Sequence, residues 1–421
     1  MKVLVIGSGG REHAVVDRLA DSPAVRKLYA APGNGGIASQ AELVPLDANN
    51  VEALAAFAHE QKIDLTFVGP EVPLGLGIVD AFRRLGLKIV GPDAAHARLE
   101  TSKSYAKEFF KAYGIPTANF WSCASVQEAL EAVERIPCPL VVKADGLAAG
   151  KGVIIAENHD QARTAVRDLM EARMLGDAGS RIVIEEYLAG EEASFHVLSD
   201  GRSFQPMVLA QDHKRRFDHD RGPNTGGMGA YSTDLILPQE EREAVLNLII
   251  RPTLQHAPGY TGVLYAGLMR TPSGPKLLEY NARLGDPEAQ VILPRLQTDL
   301  LEVLLDVVEG RLASRTLEWS RDAAVAVVLV EAGYPGRAET GKRILGIDEA
   351  RRIEGVKVYC AGVRQEDGRL FTAGGRVINV VARGASLAEA VERAYFAAEM
   401  IEFDGKDYRR DIGRRGLDKQ K

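Results

Sequence analysis

The sequence predicts a multidomain protein of mixed α/β and α+β class, with an open parallel sheet at its N-terminus. Its 421 residues exceed what one hydrophobic core organises, so we expect about two to four domains. Strand-like and helix-like runs alternate through residues 1–101, which is typical of a parallel sheet covered by helices on both faces. Further on, apolar runs flank glycine-rich loops, which favours hairpins and α+β units.

The composition describes an ordinary soluble protein. Hydrophobic residues make up 46% and charged residues 26% of the chain, and the net charge is −6. A weakly acidic balance argues against nucleic acid or an anionic membrane as the main partner. Cys123, Cys138 and Cys360 form no CxxC pair, which favours buried thiols in a reducing compartment. The apolar run after Lys2 is too short for a signal peptide, so we expect a cytoplasmic protein.

The N-terminal segment combines a strand, a glycine turn and a helix start. Residues 2–6 are predicted to form a buried strand, and Gly7-Ser-Gly-Gly-Arg-Glu12 precedes a helical pattern. Free N–H groups at such a helix start favour an anion. A dinucleotide fingerprint fits poorly, because Glu12 stands where the third glycine belongs and no acid follows the strand near 27–30. We therefore predict a site for one phosphate monoester, assisted by Arg11; a tight turn without a ligand is the alternative.

The same alternation continues to residue 101, where we place the end of the first domain. Helices are predicted at 51–61 and 76–85, and strands at 63–68 and 88–90. Ligands of open parallel sheets bind beyond the carboxyl ends of the strands. Glu12 and Glu71 both follow such ends, so they are candidates to bind sugar hydroxyls or an amine.

The next segment predicts a phosphate-covering hairpin. A helix at 102–113 carries Lys103, and two apolar strands within 139–155 flank a loop with glycines and bracketing lysines, Lys143 and Lys151. Such a loop can fold over a triphosphate, although it lacks the P-loop pattern; a flexible hairpin is the alternative. Because Lys143 ends an apolar strand, where an unpaired charge is costly, we expect an anion beside it.

Two further segments extend the predicted site. After a helix at 160–174, the strand at 182–188 ends in acids, which suits an adenine and ribose site; solvated acids at a sheet edge are the alternative. The glycine-rich stretch at 210–231 is a long loop with charged flanks, and such loops are usually functional or disordered. We interpret it as a substrate loop, followed by a helix at 239–254 and a strand at 261–269.

The strand beginning at Lys276 predicts the centre of the site. Alternate side chains share a face of a strand, so Glu279, Asn281 and Arg283 point the same way. A carboxylate and an amide oxygen suit Mg²⁺, and an arginine can grip a phosphate or carboxylate. Two more acids follow in Gly285-Asp-Pro-Glu288. Together these groups suit phosphoryl transfer, whereas a polar, solvated edge strand is the alternative.

The last hundred residues predict a third unit, 323–421. A helix at 300–309 leads to a strand at 323–330, and a closing helix spans about 386–400. The basic tail at 408–415 is expected to be a solvated end, with a lid over a ligand as the alternative.

Several motifs, in this order, resemble the phosphoribosylamine–glycine ligase family of purine biosynthesis over the whole chain. They are Gly7-Ser-Gly-Gly-Arg-Glu-His13, Val68-Gly-Pro-Glu71, Lys143-Ala-Asp-Gly-Leu-Ala-Ala-Gly-Lys-Gly152, Gln211-Asp-His-Lys214, Gly222-Pro-Asn-Thr-Gly-Gly-Met-Gly-Ala-Tyr231 and Gly285-Asp-Pro-Glu288. The resemblance implies an ATP-grasp unit with two lobes at 102–322, whose mobile lobe spans about 117–190. It also implies a ligase that joins glycine to 5-phosphoribosylamine through an acyl phosphate at the expense of ATP.

The resemblance further implies residue roles. Glu279 and Asn281 would hold Mg²⁺ or Mn²⁺, and Lys143, Arg283 and Asp286 would be catalytic. ATP would contact Lys103, Lys143, Asp145, Gly146, Gly150, Lys151, Gly152, Glu185, Glu186, Tyr187, Leu188 and Glu192. Phosphoribosylamine would contact Gly9, Gly10, Arg11, Glu12, Gly69, Pro70 and Glu71. Glycine and the acyl phosphate would contact Asp212, Lys214, Asn224, Thr225, Gly226, Gly227, Arg283, Asp286, Pro287 and Glu288.

One position departs from the family pattern: Leu284 stands where an aromatic residue is expected, which is a packing change. Segment 217–221 is given no role. Three other functions stay open from the residues alone: another ATP-grasp ligase or carboxylase of purine synthesis, a dinucleotide-dependent oxidoreductase, and a nucleotide sensor without turnover. We expect a monomer or weak homo-oligomer.

Overall fold

The computed structural model describes residues 1–148 and 152–419. The N-terminal segment forms a five-stranded parallel sheet of order β3-β2-β1-β4-β5. Its strands are β1 (Lys2–Gly7), β2 (Lys27–Pro32), β3 (Glu42–Leu43), β4 (Leu65–Val68) and β5 (Ile89–Val90). Its helices are α1 (Gly10–Ala20), α2 (Val51–Glu60), α3 (Glu71–Gly75), α4 (Ile78–Arg84) and α5 (Ala94–Thr101). The predicted open parallel sheet is confirmed.

The register of this sheet brings two predicted site loops together. Ile6 of β1 lies beside Val68 of β4, so the loops that follow these strands are neighbours. The helix predicted at about 76–85 is confirmed as α4, which begins after Gly77 with its left-handed φ of 80°. The short helix α3 precedes it, and Glu71 is the first residue of α3.

The first lobe of the central unit is an antiparallel sheet, β6-β9-β7-β8, with helices packed on it. Its elements are α6 (Lys103–Ala112), β6 (Phe120–Cys123), α7 (Val126–Arg135), β7 (Leu140–Ala144), β8 (Val153–Ala156), α8 (His159–Met170) and β9 (Ile182–Glu186). The predicted hairpin is confirmed, with Lys143 opposite Val153. A hydrophobic core that includes Val142, Val166 and Ile184 belongs to this lobe alone.

The second lobe is built on the sheet β11-β10-β16-β17. Its elements are β10 (Glu191–Asp200), β11 (Phe204–Pro206), β12 (Gln211–Asp212), β13 (Arg215–Phe217), β14 (Arg221–Asn224), β15 (Gly229–Ser232), α9 (Gln239–Val245), α10 (Arg251–His256), β16 (Thr261–Thr271), β17 (Gly274–Asn281), α11 (Ala289–Ile292) and α12 (Leu300–Glu309). β16 pairs with β17, with Gly267 opposite Glu279. The helix predicted at 239–254 is interrupted, because a π-helical turn, Leu246–Ile250, separates α9 from α10.

The C-terminal segment forms a sheet that also takes strands from the middle of the chain. Its elements are β18 (Ala323–Glu331), α13 (Ile347–Arg351), β19 (Val356–Cys360), β20 (Val363–Glu366), β21 (Arg369–Thr372), β22 (Arg376–Gly384), α14 (Leu387–Met400), β23 (Lys406–Asp407) and α15 (Arg414–Asp418). The sheet order is β12-β15-β18-β22-β19, with β23 beside β18. The predicted substrate loop therefore lies on the C-terminal sheet. The predicted boundary between 322 and 323 stays a prediction, and contacts cross it.

The base of the molecule has a shared core. One hydrophobic cluster includes Val5 of β1, Leu301 of α12 and Ala326 of β18, so the N-terminal, central and C-terminal segments pack as one body. Within the described ranges, no helix is long and apolar enough to cross a bilayer.

Candidate functional site

A cleft of about 1000 Å³ lies where the three segments meet. A smaller cavity of about 130 Å³ adjoins it beneath α6. Lys143, Glu185, Glu279, Asn281 and Arg283 line both spaces. The residues predicted from the strand at 276–283 and from the hairpin at 139–155 thus meet at one place.

Glu279 and Asn281 lie side by side on β17 and face the cleft. In the described part of the chain, neither side chain has a hydrogen bond or an ion pair. Burial acts to raise the pKa of Glu279, but Lys214, Lys143 and nearby cations hold it below its usual value, so the carboxylate is ionised. No cluster of three His, Cys, Asp or Glu in residues 1–148 and 152–419 could hold a metal. One carboxylate and one amide fit a Mg²⁺ that also takes phosphate and water oxygens.

Lys143 is part of a buried chain of charges. Its Nζ lies 2.9 Å from Glu185 Oε1, and Lys107 Nζ lies 3.0 Å from Glu185 Oε2. Lys107 also donates a 2.7 Å hydrogen bond to Thr117 Oγ1. Glu185 therefore supplies a protein counter-charge to Lys143, and the bound anion expected beside this lysine stays a prediction. The side chain of Glu185 is used in this pairing and is 2% exposed.

Lys107 was missed by the sequence analysis. It lies four residues after Lys103 on α6, a spacing that places both on one helix face, and this was the signal that could have found it. Burial lowers the pKa of Lys107 to about 8, against the opposing effect of Glu185. Glu186, Tyr187 and Leu188, which follow Glu185 in the chain, line the cleft, and their contact with ATP stays a prediction.

The hairpin loop is tied to the start of α6. The backbone N–H of Ser104 donates a 2.5 Å hydrogen bond to Asp145 Oδ1, and Lys103 Nζ donates to the Gly146 carbonyl at 3.2 Å. Asp145 and Gly146 therefore position Lys103 and do not line either cavity, whereas Lys103 and Gly152 line the smaller one. The predicted contacts of Gly150 and Lys151 lie outside the described residues.

Arg283 already has partners for its guanidinium. Its Nε lies 3.2 Å from Glu71 Oε2, its Nη2 lies 3.1 Å from Glu100 Oε1, and its Nη1 donates to the Leu284 carbonyl at 3.1 Å. The expectation of a free anion clamp is thus corrected to a buried ion cluster that joins β17 to the N-terminal domain. Burial raises the pKa of Glu100 above its usual value, and the attraction to Arg283 only partly opposes this rise. No local sequence pattern marked Glu100.

The glycine turn after β1 is closed by a side chain of its own helix. Glu12 Oε2 accepts a 2.6 Å hydrogen bond from the Gly9 N–H, and Glu12 Oε1 lies 2.5 Å from Arg11 Nε. A Cβ at Gly69 would collide with Glu12, so the two loops need a glycine at their contact. Gly9, Arg11, Glu12 and Pro70 line the cleft. Gly10 and Gly69 do not, since Gly10 packs against Gln290 and Asn379.

On the opposite wall of the cleft, Lys214 of the substrate loop forms an ion pair with Glu192 of β10. Lys214 Nζ lies 2.6 Å from Glu192 Oε2, so the predicted ribose ligand Glu192 is paired in this structure. Burial raises the pKa of Asp212 to about 7, Glu288 and Glu192 add to this, and Lys214 opposes it. Asn224, Thr225 and Gly226 also line the cleft.

The turn after β17 completes this wall. Glu288 Oε1 accepts hydrogen bonds from Tyr265 at 2.7 Å and Ser194 at 3.1 Å. Asp286 Oδ2 lies 2.7 Å from Arg376 Nη2. Gly227 and Pro287 do not line the cleft but pack against each other, and Gly227 has a left-handed φ of 109°. Besides Lys107, sequence reasoning missed cleft or cavity residues whose placement depends on tertiary contacts, among them Glu100, Tyr265, Arg376 and Arg415.

Comparison with known proteins matches this architecture domain by domain. The phosphoribosylglycinamide synthetase N domain matches residues 1–100, its ATP-grasp (A) domain matches 101–289, and its C domain matches 324–415. The phosphoribosylamine–glycine ligase of Pasteurella multocida is 47% identical over 428 positions, covering 100% of this chain and 99% of the relative. That of Mesorhizobium japonicum is 48% identical, covering 98% of each.

Solved structures agree. The crystal structure of phosphoribosylamine–glycine ligase from Thermotoga maritima has a TM-score of 0.85 and 35% identity, covering 98% of this chain and 100% of the other. The biotin carboxylase domain of Hydrogenobacter thermophilus 2-oxoglutarate carboxylase, solved with MgADP, ADP and bicarbonate, shares the fold at a TM-score of 0.75 and 18% identity, covering 96% of this chain and 91% of the other. The chain therefore belongs to the phosphoribosylglycinamide synthetase family, with the N, ATP-grasp and C domains of that family in one polypeptide.

Proposed function

We propose that this chain is an ATP-dependent carbon–nitrogen ligase that joins glycine to 5-phosphoribosylamine in purine biosynthesis. The products are glycinamide ribonucleotide, ADP and phosphate. The proposal is carried by the consecutive match of all three domains of one ligase family along the chain. The cleft between those domains gathers the charges that such a reaction needs.

The chemistry explains why cations surround the cleft. A carboxylate oxygen of glycine attacks the γ-phosphorus of ATP, the bond to the β-phosphate oxygen breaks, and glycyl phosphate and ADP result. The amine of phosphoribosylamine then attacks the glycyl carbonyl carbon, phosphate leaves, and the nitrogen loses a proton. Because two anions meet in the first step, Lys103, Lys143 and Arg283 must offset their repulsion. No side chain forms a covalent bond to substrate.

ATP would occupy the space between the two lobes. Glu186, Tyr187 and Leu188 would border the adenine, and Glu192 the ribose. Lys103 and Lys143 would contact the phosphates under the loop at 145–152 as the lobe at about 117–190 closes. Glu279 and Asn281 would hold Mg²⁺ or Mn²⁺, which neutralises phosphate charge when bound.

Lys107 gives Lys143 the freedom to take that role. When Lys143 turns from Glu185 towards a phosphate, the Glu185 carboxylate would be left buried without a counter-charge. Lys107, 3.0 Å from Glu185, remains in place and keeps the carboxylate paired. Such an exchange avoids the cost of an isolated buried charge.

The two other substrates would lie on either side of Arg283. Phosphoribosylamine fits the N-terminal side, beside Gly9, Arg11, Glu12, Pro70 and Glu71, with Gly10 and Gly69 shaping the turns. Glycine and its acyl phosphate fit the side formed by the substrate loop and the turn after β17, which comprise Asp212, Lys214, Asn224, Thr225, Gly226, Gly227, Asp286, Pro287 and Glu288. We further propose a cytoplasmic monomer or weak homo-oligomer without a nucleic-acid or membrane partner.

The decisive experiment measures ADP release with Mg²⁺ and ATP, with phosphoribosylamine generated from ribose 5-phosphate and ammonia. Separate controls omit glycine, ribose 5-phosphate or ammonia. ADP that forms only with all components, together with a product of the mass of glycinamide ribonucleotide, is the expected result. ADP without glycine would instead favour another ATP-grasp ligase or carboxylase. ATP binding without ADP release would favour a nucleotide sensor, and binding of NAD(H) would favour an oxidoreductase.

A further inference from the structure

The C-terminal tail docks on the substrate loop and is not a solvated end, which corrects the sequence expectation. The Arg410 N–H donates a 2.8 Å hydrogen bond to Asp218 Oδ1, and the His219 N–H donates at 2.8 Å to Asp411 Oδ2. Arg409 is 2% exposed. The tail therefore docks on segment 217–221, to which the sequence analysis assigns no role.

Asp220 is the centre of this docking. One of its oxygens lies 3.0 Å from Arg409 Nη1, and the other pairs with Arg415 Nη2. Its backbone has a left-handed φ of 54°, and His219 has a φ of 60°. Two adjacent non-glycine residues in this region carry strain that surrounding contacts must offset. The loop is therefore built around the two arginines.

The two arginines differ in what else they reach. Arg409 is saturated, because Asp411 accepts from its Nε and Nη2 at 2.8 Å. Arg415 is 36% exposed at its side chain and lines the large cleft. Its bond to Asp220 is its only hydrogen bond within the described residues, and a guanidinium has five N–H donors. Arg415 thus holds spare donors at the cleft wall.

The position of Arg415 identifies the part of the cleft that it serves. Its charge interacts with Glu192, and Lys419, one turn further on, lies 2.7 Å from Glu191. Gly416 packs on Tyr231 of β15, which fixes α15 against the loop. The tail therefore borders the part of the cleft that contains Glu191 and Glu192.

We infer that Arg415 is a nucleotide-binding residue, held by Asp220 so that it donates hydrogen bonds to the ribose and phosphate oxygens of ATP. This inference rests on the proposed function, which places the ribose of ATP beside Glu192. Asp220 acts as a positioning residue, since it orients the guanidinium through one Nη2 bond and itself is anchored by Arg409.

The test compares Arg415→Ala and Arg415→Lys with Arg414→Ala in the full-length chain. Arg414 belongs to the same short helix, but its side chain is 63% exposed and lies 3.8 Å from Asp418. Equilibrium binding of ATP and ADP and the KM for each substrate are measured. Loss of a charge-assisted hydrogen bond is expected to raise the Kd and KM for ATP about 10-fold in Arg415→Ala. Arg415→Lys should recover part of the lost ATP affinity. The KM for glycine in the Arg415 variants should stay within about twofold of the wild type, and so should the ATP affinity of Arg414→Ala.

Asp220→Asn supplies a second variant that keeps side-chain size and tolerates a left-handed backbone. It should raise the KM for ATP with little effect on that for glycine. Unchanged ATP affinity in Arg415→Ala, or an equal loss in Arg414→Ala, would overturn the inference while the wild type still binds and turns over ATP. If the wild type itself bound no nucleotide, the proposed function would fail instead.

Discussion

Replacing Lys107 with methionine distinguishes the effect of this lysine on the free energy of unfolding from its effect on ATP binding. Lys107 and Glu185 are each 2% exposed at their side chains. A lysine pKa of about 8 in place of 10.5 means that burial costs the charged form about 3 kcal/mol beyond what Glu185 returns. Methionine removes that cost, and Lys143 remains 2.9 Å from Glu185. Against this, Thr117 loses one hydrogen bond, worth about 1 kcal/mol.

The balance predicts that Lys107→Met leaves the free energy of unfolding unchanged or raises it by about 1–3 kcal/mol. The affinity for ATP should move in the opposite direction, because Lys143 becomes the sole counter-ion of Glu185 and is no longer free to reach a phosphate. Loss of that contact should weaken ATP binding about 10-fold or more.

Urea unfolding followed by the fluorescence of Trp121 reports on the lobe that contains this cluster, since Trp121 lies opposite Ile184 in the β6–β9 pair. A Trp319→Phe background removes the other tryptophan of the chain. Lys111→Met, on the exposed end of α6, is the matched control and should change neither quantity. A loss of more than about 2 kcal/mol in stability, or ATP affinity equal to the wild type, would refute the proposed exchange of partners.

Three further variants or conditions test the remaining parts of the site. Glu279→Gln should lower kcat about 100-fold or more with an unchanged melting temperature, measured by ADP release beside the exposed control Glu240→Gln; near-normal turnover would contradict the metal assignment. Lowering the pH from 7 to 5 should reduce the free energy of unfolding by about 2 kcal/mol for each buried histidine that stays neutral in the folded chain. The histidines of the unfolded chain bind a proton below about pH 6.5. In the folded chain, the pKa is about 4 for His13 and about 3 for His196 and His213. Urea unfolding at both pH values should show a shallower loss for His13→Asn than for the wild type or the exposed control His59→Asn. Gly227→Ala should destabilise the chain by about 1–3 kcal/mol and raise the KM for glycine, because its φ of 109° and its contact with Pro287 leave no place for a Cβ; an unchanged KM would show that the loop conformation does not matter.

Local pattern was sufficient for the parts of the site that lie on single strands. The alternation of β17 placed Glu279 and Asn281 on one face, and that face does line the cleft. The glycine turn after β1 and the acid after β4 were placed together by the parallel order of the sheet. In each case a period of two residues or a strand order carries the information.

The charge partners could not be found in this way. Lys143 and Glu185 meet because β7 and β9 pair with Val141 opposite Glu185, which sets Lys143 diagonal to it on the same face. That register depends on the packing of the whole lobe. Arg415 and Asp220 are separated by 195 residues, and their contact depends on the docking of α15 on the loop. Sequence reasoning therefore placed cleft residues that lie on single strands or turns, and it missed residues whose position depends on contacts between distant segments.

The charges of the cleft are largely neutralised by ion pairs within the protein. Lys143 is matched by Glu185, Lys214 by Glu192, and Arg283 by Glu71 and Glu100. Lys143 and Glu185 are buried, and either charge would cost several kcal/mol if it were unpaired, so the pairing stabilises the folded cleft. An anionic ligand that takes a lysine from its carboxylate leaves that carboxylate without a partner. The ligand therefore binds well only where a second cation keeps the carboxylate paired. Lys107 beside Glu185 meets this condition for the phosphates of ATP, and the same reasoning predicts that a neutral ligand gains nothing at that place.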